Sequence, residues 1–303
     1  MPSPMAAVDQ VMSGIDRRTE LREFLRSRRA RIRPQDVGLP SHGRRRVPGL
    51  RREELAQLAG VSFAYYARLE QGHGATMSAK VLDAVARALC LTAEEHGHLI
   101  RLAQPERQSM KQVTPSPQRI RPSVQHLLDA IGVPAYVVSR RLDILGWNRL
   151  AAAVFGDWGQ LPPEKRNVAR LIFLSPETRE RFADPGHTAL TIASVLRMNA
   201  GKSPGDARLF ALIQELSQKS EEFRQSWARH EVSCGSVGES VRMRHPVVGE
   251  FNLVHEPMAL PGGAPMRLET LHAEPGSRSE EALRMLASWE NGAAVRPGTE
   301  RIR

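Results

Sequence analysis

The stretch LRREELAQLAGVSFAYYARLEQG, residues 50–72, decides the fold of the N-terminal part of the chain. Within it, RREELAQLA predicts a short helix, because leucine and alanine recur along one side. Gly60 can end this helix in a left-handed turn, and Ser62 can cap a second helix from Phe63 to Gln71. The stretch therefore predicts two short helices that are joined by a tight glycine turn and cross closely.

The second of these helices has two different sides. Val61, Tyr66 and Leu69 are spaced so that they lock the helix onto a core, which leaves the remaining positions outside. A rigidly held helix with an exposed face fits the major groove of DNA. The positions that we expect to face outwards are Ser62, Phe63, Ala64, Tyr65, Ala67 and Arg68.

Three further helices are predicted around this pair, each from a capping residue followed by apolar residues at helical spacing. Thr92 and Glu95 form a capping box for the last of them. The other two are expected to be capped by Thr19 and by Ser78. The expected extents are Glu20 to Ile32, the stretch AKVLDAVARAL after Ser78, and a last helix ending near Ala103.

Positive charge is concentrated near the N-terminus. The chain has a net charge of +10, and the stretch from Arg17 to Arg52 holds 13 arginines against three acidic residues. A local excess of this kind indicates a nucleic-acid partner. A basic run stands between the first helix and the helix pair, where phosphate contacts are favoured over the alternative of a solvated loop. It consists of Arg44, Arg45 and Arg46.

The pattern L-A-x-x-A-G-V-S followed by Y-x-x-L-E-Q-G resembles the lambda-repressor-like (XRE) helix-turn-helix. The resemblance covers roughly residues 20–103, including five helices, and implies a supporting helix over 51–59 and a recognition helix over 62–71. It implies that Glu70 closes a structural ion pair or a cap rather than touching DNA. The residues that it implies at DNA are Arg52, which would face phosphate, and Ser62, Phe63, Ala64, Tyr65 and Arg68.

The recognition helix departs from the usual pattern at two positions. Phe63 and Ala64 stand where long polar side chains often read bases. The helix would therefore make few direct hydrogen bonds to bases. Contacts to thymine methyl groups, DNA shape or arginine contacts would then supply the specificity.

The C-terminal part predicts an α+β domain. AYVVSRRLDILGWNRLAAAVFGD indicates two strands joined by a turn at Arg140–Asp143 and a helix from Asn148 or Arg149. Helices follow over roughly 163–232, then strands in SVRMRHPVVGEFNLVHEPMAL and APMRLETLHAEPG and a helix in SEEALRMLASW. The fold class is therefore mostly α with a second α+β domain. The expected domain limits are 17–103, a proline-containing linker 104–122, 123–290, and disordered tails 1–16 and 291–303.

The opening strand–turn–strand–Asn–helix is similar to a PAS domain, although the inserted helices are longer than a minimal PAS domain carries. Together with RRLDILGWN, FRQSWARHEV, RHPVVGEFNL and AEPGS it resembles the MmyB-like ligand-binding domain. The resemblance implies a PAS-like sensor for a fatty acid or similar apolar ligand; the alternative is a filled core. Candidate ligand residues are Tyr136, Val138, Leu145, Trp147, Phe155, Phe173, Leu196, Phe251 and Leu253.

Several classes of protein are disfavoured by the sequence. No run of about 18 apolar residues and no secretory signal are recognisable, and two cysteines cannot form a disulfide framework, so we expect a reduced, cytoplasmic protein. No zinc motif, phosphate-binding glycine loop or nucleophile elbow is recognisable, which argues against an enzyme and against a bound metal.

The function expected from these features is a sequence-specific DNA-binding transcriptional regulator. We expect double-stranded DNA as the partner, a homodimer that reads two half-sites, and a C-terminal domain that senses a small apolar ligand or dimerises. The alternative is a helix-turn-helix module that binds protein, as an antitoxin-like protein does, without sensing a ligand. Binding that is insensitive to salt would favour this alternative.

Overall fold

The computed structural model describes residues 17–39, 49–74, 77–104, 119–203, 205–233, 235, 237–261 and 265–293. The chain forms two compact units. Of the described residues, the first unit contains those up to Gln104 and those within two later segments, Ser194–Gln218 and Arg224–Cys234. The second unit contains the described residues of 119–193, 219–223 and 235–293. The predicted tail 1–16 and most of the predicted linker lie outside the described residues, as do residues 294–303 of the other predicted tail. Residues 291–293, which were also predicted to be disordered, are instead the end of a helix that runs from Arg278 to Ala293.

Five helices at the start of the first unit confirm the predicted helical order. The first helix begins at Arg17, so the prediction that Thr19 caps it is wrong. Arg17 donates hydrogen bonds from Nε to the carbonyl of Leu102 (2.9 Å) and from Nη2 to that of Arg101 (2.7 Å), which fixes this earlier turn. The helices are α1 (Arg17–Arg31), α2 (Arg52–Leu58), α3 (Phe63–Glu70), α4 (Ala79–Ala88) and α5 (Ala93–Ala103).

The turn between α2 and α3 forms as its sequence predicts. Gly60 has a φ of +65°, a conformation that favours glycine because it lacks a Cβ. Ser62 caps α3 by accepting a hydrogen bond from the backbone N–H of Tyr65 at 3.2 Å. Apolar side chains from all five helices share one buried core, which includes Phe24, Leu55, Tyr66, Leu82 and Leu99.

Three later helices are α10 (Pro185–Lys202), α11 (Ala207–Lys219) and α12 (Glu221–Trp227). Met198 of α10 is buried in the same core as α1 to α5, and so is Val232, which follows α12. The predicted domain limits instead place all of 123–290 together. The predicted limits differ from the observed units because contacts between residues so distant in sequence leave no periodic pattern in the sequence.

The second unit is built on a five-stranded antiparallel sheet of order β2-β1-β5-β4-β3. Its strands are β1 (Ala135–Ser139), β2 (Ile144–Trp147), β3 (Glu239–His245), β4 (Gly249–Leu260) and β5 (Met266–His272). The α+β fold class and the predicted order of its elements are confirmed. Its other helices are α6 (Pro122–Ala130), α7 (Arg149–Phe155), α8 (Val168–Leu174), α9 (Pro176–Glu180) and α13 (Arg278–Ala293).

Asn148 ties the opening of the second unit together. Its Oδ1 accepts from the backbone N–H of Ala151 at 2.9 Å, which caps α7, and from that of Ala135 at 3.1 Å, which fixes β1. Its Nδ2 donates to the carbonyl of Val133 at 2.7 Å. The predicted strand–turn–strand–Asn–helix arrangement is therefore confirmed, and its asparagine has a structural reason.

A β-bulge makes β2 depart from strict alternation. Alternation alone would place Leu145 and Trp147 on one face, but the register between β1 and β2 shifts between Val137 and Val138. Leu145 consequently packs against the cluster that contains Leu128 of α6. The Trp147 ring instead lies 5.7 Å from that of Trp158. An extra residue in one strand reverses the face of those that follow it.

Among the residues that the structure describes, no helix has both the length and the apolar character required to cross a bilayer. Within those same ranges, no three side chains of His, Cys, Asp or Glu come together as a metal site would require.

Candidate nucleic-acid interface and ligand-binding region

Helix α3 presents one face to solvent, as its sequence predicts. The side chain of Phe63 is half exposed (50%), although it is a large apolar residue. Tyr66 and Leu69, on the other side of the helix, are fully buried. Tyr65 lies at the boundary, because part of its ring packs against the core. The remaining exposed candidates are Ser62, Ala64 and Arg68.

Buried Glu70 fixes the orientation of α3 through two arginines. Its carboxylate accepts two hydrogen bonds from Arg29 of α1, at 3.0 Å each, and one from Nε of Arg52 at 2.8 Å. Burial alone would raise the pKa of Glu70, but the hydrogen bonds to Arg29 and its neighbours lower it below the usual value. The carboxylate therefore stays ionised and joins α1, α2 and α3, which confirms the predicted ion pair of Glu70.

Arg52 combines this structural contact with exposure. Its guanidinium pairs with Glu70, yet 49% of its side-chain surface remains accessible. The role of Arg52 at phosphate stays a prediction. Arg29 was missed by the sequence analysis, since it lies 41 residues from Glu70 and no local pattern connects them. The predicted phosphate contacts Arg44, Arg45 and Arg46 lie outside the described residues.

Four aromatic rings meet in the second unit. Tyr136 packs edge-to-face against Phe155 (5.8 Å) and Trp158 (5.3 Å), and Trp158 also stacks on Phe155 and meets Trp147 edge-to-face. Tyr136, Trp147 and Phe155 were candidate ligand residues, and the structure brings them together. Trp158, in a short 3-10 turn, was not a candidate. We call these four residues the aromatic cluster.

The aromatic cluster borders buried charge. Glu269 of β5 lies opposite Tyr136 of β1 in the sheet. It pairs with Nε2 of His255 at 2.7 Å and with Nη2 of Arg267 at 2.9 Å. Burial and the negative charge of Glu269 raise the pKa of Tyr136, so its hydroxyl stays protonated and can donate a hydrogen bond.

The other candidate ligand residues occupy different places. Phe251 and Leu253 are fully buried in the core cluster against which Tyr136 and Phe155 pack, and Val138 is equally buried. Phe173 packs edge-to-face on Phe223. The structure separates two candidates from the aromatic cluster. Leu145 packs on the α6 side of the sheet, and Leu196 belongs to the first unit.

Two family models match the sequence. One, described as the MmyB-like transcription regulator ligand binding domain, matches residues 120–286, which is more than half of the chain. The other, described as a helix-turn-helix domain, matches residues 20–99. No curated protein matches. The matched domains are regulatory ones. The helix-turn-helix match contains α2 and α3, and the ligand-binding match contains all five strands of the second unit. The chain therefore belongs to the MmyB-like transcription regulators, DNA-binding proteins in which a helix-turn-helix domain precedes a ligand-binding domain.

Proposed function

We propose that this regulator reads specific DNA sequences through α3, as a homodimer, and responds to a small apolar ligand. The observation that carries the proposal is the two-sidedness of α3. Tyr66, Leu69 and Glu70 anchor one side in the first unit, while Phe63 and Arg68 stand on the exposed side. A helix held in this way can enter a major groove without rearranging.

The exposed residues of α3 divide the recognition between them. Phe63 and Ala64 offer apolar contacts to thymine methyl groups, and Arg68 can donate to guanine or phosphate. Ser62 and Tyr65 flank them. Arg52 and the run Arg44, Arg45 and Arg46 supply phosphate contacts, which position the protein on the duplex but carry no sequence information.

The aromatic cluster is the proposed wall of the ligand site. Tyr136, Trp147 and Phe155 are only partly buried, although Tyr136 and Phe155 lie against the buried core of the second unit. Incompletely packed aromatic rings beside a few polar groups are typical of sites for small apolar ligands. A fatty acid would place its chain on these rings and its polar end near Tyr136, His255 and Arg267.

A selection from random double-stranded DNA with the full chain tests this function. If the protein binds as a dimer, the selected sequences should contain two inverted half-sites whose centres lie about one turn of the DNA helix apart, roughly 34 Å. When the selection is repeated at two salt concentrations, binding should be weaker at the higher one, because phosphate contacts release counterions from the DNA. Recovery of random sequences, or a single half-site without symmetry, would contradict the proposal.

Phe63 also favours a second candidate function. Large exposed apolar residues mark protein interfaces, and a helix-turn-helix that binds protein would use such a side chain. The same selection separates the two candidates. A protein-binding module would recover no preferred sequence, and its binding to a partner would change little with salt.

A further inference from the structure

Helices α10 and α12 contribute residues of the ligand-binding match to the first unit. The match covers 120–286, yet Ser194–Gln218 and Arg224–Cys234 pack with α1 to α5. This is the helical insertion that exceeds a minimal PAS domain. Its contacts with α1 are charged as well as apolar, which gives them a defined geometry.

The first of these contacts is a buried ion pair between Glu20 of α1 and Nη1 of Arg197 on α10. The side chain of Arg197 is 2% exposed and that of Glu20 is 10% exposed. Arg197 also donates to the carbonyl of Trp227 at 2.5 Å, and its guanidinium lies 4.0 Å from the centre of the Trp227 ring. A carboxylate, a carbonyl oxygen and an aromatic ring thus hold this arginine in place.

The second contact lies further along α1. Nε of Arg28 is 2.9 Å from Glu95 of α5, and its Nη2 donates to the carbonyl of His230 at 2.5 Å. His230 has a φ of +53°, which is rare for a residue with a Cβ and presents its carbonyl at this point. Arg31 pairs with Glu95 and with Glu231.

These side chains form a balanced cluster of three arginines and three glutamates, which we call the α1 clamp. Removing charges from water costs free energy, so the buried pairs of this cluster add little net stability. It does penalise any arrangement that separates a charge from its partner. The α1 clamp consists of Glu20, Arg28, Arg31, Glu95, Arg197 and Glu231.

The opposite side of α1 holds the recognition helix. Arg29 follows Glu20 by nine positions, which places it about 180° away around a helix of 3.6 residues per turn. Besides its two bonds to Glu70 of α3, it donates from Nη1 to the carbonyl of Leu50 at 2.6 Å. Helix α1 therefore lies between the α1 clamp and α3.

We propose that Arg197 and the segment His230–Glu231 are positioning residues for DNA recognition. They hold α1 from the side of the ligand-binding match, and α1 in turn sets the orientation of α3 through Arg29 and Glu70. The proposal rests on DNA reading by α3. Loosening the α1 clamp should weaken specific DNA binding even though none of its residues is among the proposed DNA contacts.

A double-mutant cycle in the full chain tests this proposal, with the duplex recovered from the random-sequence selection. Arg197→Met and Glu20→Gln should each weaken specific binding at least fivefold, at a temperature where circular dichroism shows each variant folded. The double variant should lose no more than either single one, because both remove the same contact. Amide exchange in α3 should rise in all three variants, which loss of a merely local contact would not produce.

A pair in the second unit supplies the matched control. Arg179 of α9 and Glu222 of α12 also form a partly buried ion pair, and Arg179→Met should leave DNA affinity unchanged. If the Arg197 variants fail to fold, the combined Arg31→Gln and Glu231→Gln variant replaces them, since its pair is more exposed. Unchanged affinity in folded clamp variants, or a loss equal to that of Arg179→Met, would overturn the proposal. Arg68→Ala, which tests DNA reading itself, distinguishes this result from failure of the proposed function.

Discussion

Gly201 of α10 packs directly against the imidazole of His98 on α5. A Cβ added at Gly201 would lie 2.8 Å from Cε1 and 2.9 Å from Nδ1 of His98. Such distances are shorter than van der Waals contact, and the imidazole is fully buried, so it has little room to move. Glycine is thus required here by the close approach of two helices within the first unit.

We expect Gly201→Ala to destabilise the protein by about 1–3 kcal/mol, because overpacking outweighs the gain in helix propensity. Gly97→Ala is the matched control, since Gly97 also lies within a helix. The nearest atom to its added Cβ is Nη1 at the end of the Arg101 side chain, 3.1 Å away, rather than an atom of a fully buried ring. This control should stabilise by about 0.5–1 kcal/mol. Urea unfolding of both variants measures these changes in the free energy of unfolding. Equal changes of the same sign would contradict the prediction.

Removing the charge of Glu70 should loosen the recognition helix. Glu70→Gln leaves the guanidinium of Arg29 without its carboxylate in a buried place, and we expect a loss of about 3 kcal/mol in the free energy of unfolding. Glu53→Gln, on the exposed first turn of α2, is the control and should cost at most about 0.5 kcal/mol. A Glu70→Gln variant as stable as this control would show that the three-helix ion pair contributes nothing.

Acid should destabilise the first unit in two pH ranges. Burial lowers the pKa of His98 to about 3, so the unfolded chain takes up this proton near pH 6.5 and the folded chain only near pH 3. Burial raises the pKa of Glu20, but His230, whose Nδ1 lies 3.8 Å from its carboxylate, and the charge of Arg197 lower this pKa by more, to about 2. In both cases the unfolded state binds more protons, so stability falls as pH falls.

The two contributions can be separated by substitution. His98→Leu should flatten the loss of stability between pH 6.5 and 5, where Glu20 stays ionised in both states. Glu20→Gln should reduce the loss of stability that occurs as the pH falls from about 4.5 towards 2. The measurement is the free energy of unfolding by urea as a function of pH. A His98→Leu variant with the wild-type slope between pH 6.5 and 5 would contradict the assignment.

Tryptophan fluorescence reports on the proposed ligand site, because Trp147 and Trp158 belong to the aromatic cluster. Titration of the full chain with palmitate should change the emission. Phe155→Leu removes part of the stacking surface and should weaken palmitate binding about tenfold, equivalent to about 1.4 kcal/mol. Leu145→Val changes the opposite face of the sheet and should leave the affinity unaltered. Equal effects of the two substitutions on palmitate affinity would argue against the aromatic cluster as the wall of the ligand site.

Local signals made much of the fold predictable. Gly60, Ser62 and the Thr92–Glu95 capping box act within a few residues, and each adopts the geometry that its sequence predicts. The strand–turn–strand–Asn–helix opening of the second unit is local in the same sense. The start of α1 was misplaced, because Arg17 is held by carbonyls that lie more than 80 residues away.

The sites were less predictable because their contacts are distant in sequence. Glu20 and Arg197 are separated by 177 residues, and neither side chain is unusual on a helical wheel. The face of the sheet on which Leu145 lies depends on a one-residue bulge, which an alternating sequence pattern does not reveal. Trp158 lies in a short turn outside any periodic segment, so its place beside Tyr136 had no signal beyond its aromatic character.

Binding of the full chain to its selected duplex, compared with a scrambled duplex over a range of salt concentrations, tests the reading of DNA by α3 most directly. Arg68→Ala should reduce the preference for the selected duplex by about 1–3 kcal/mol if Arg68 contacts a base, whereas Arg284→Ala, on α13, should leave it unchanged. An unaltered preference in Arg68→Ala, together with affinity that does not fall with salt, would contradict DNA reading by this helix.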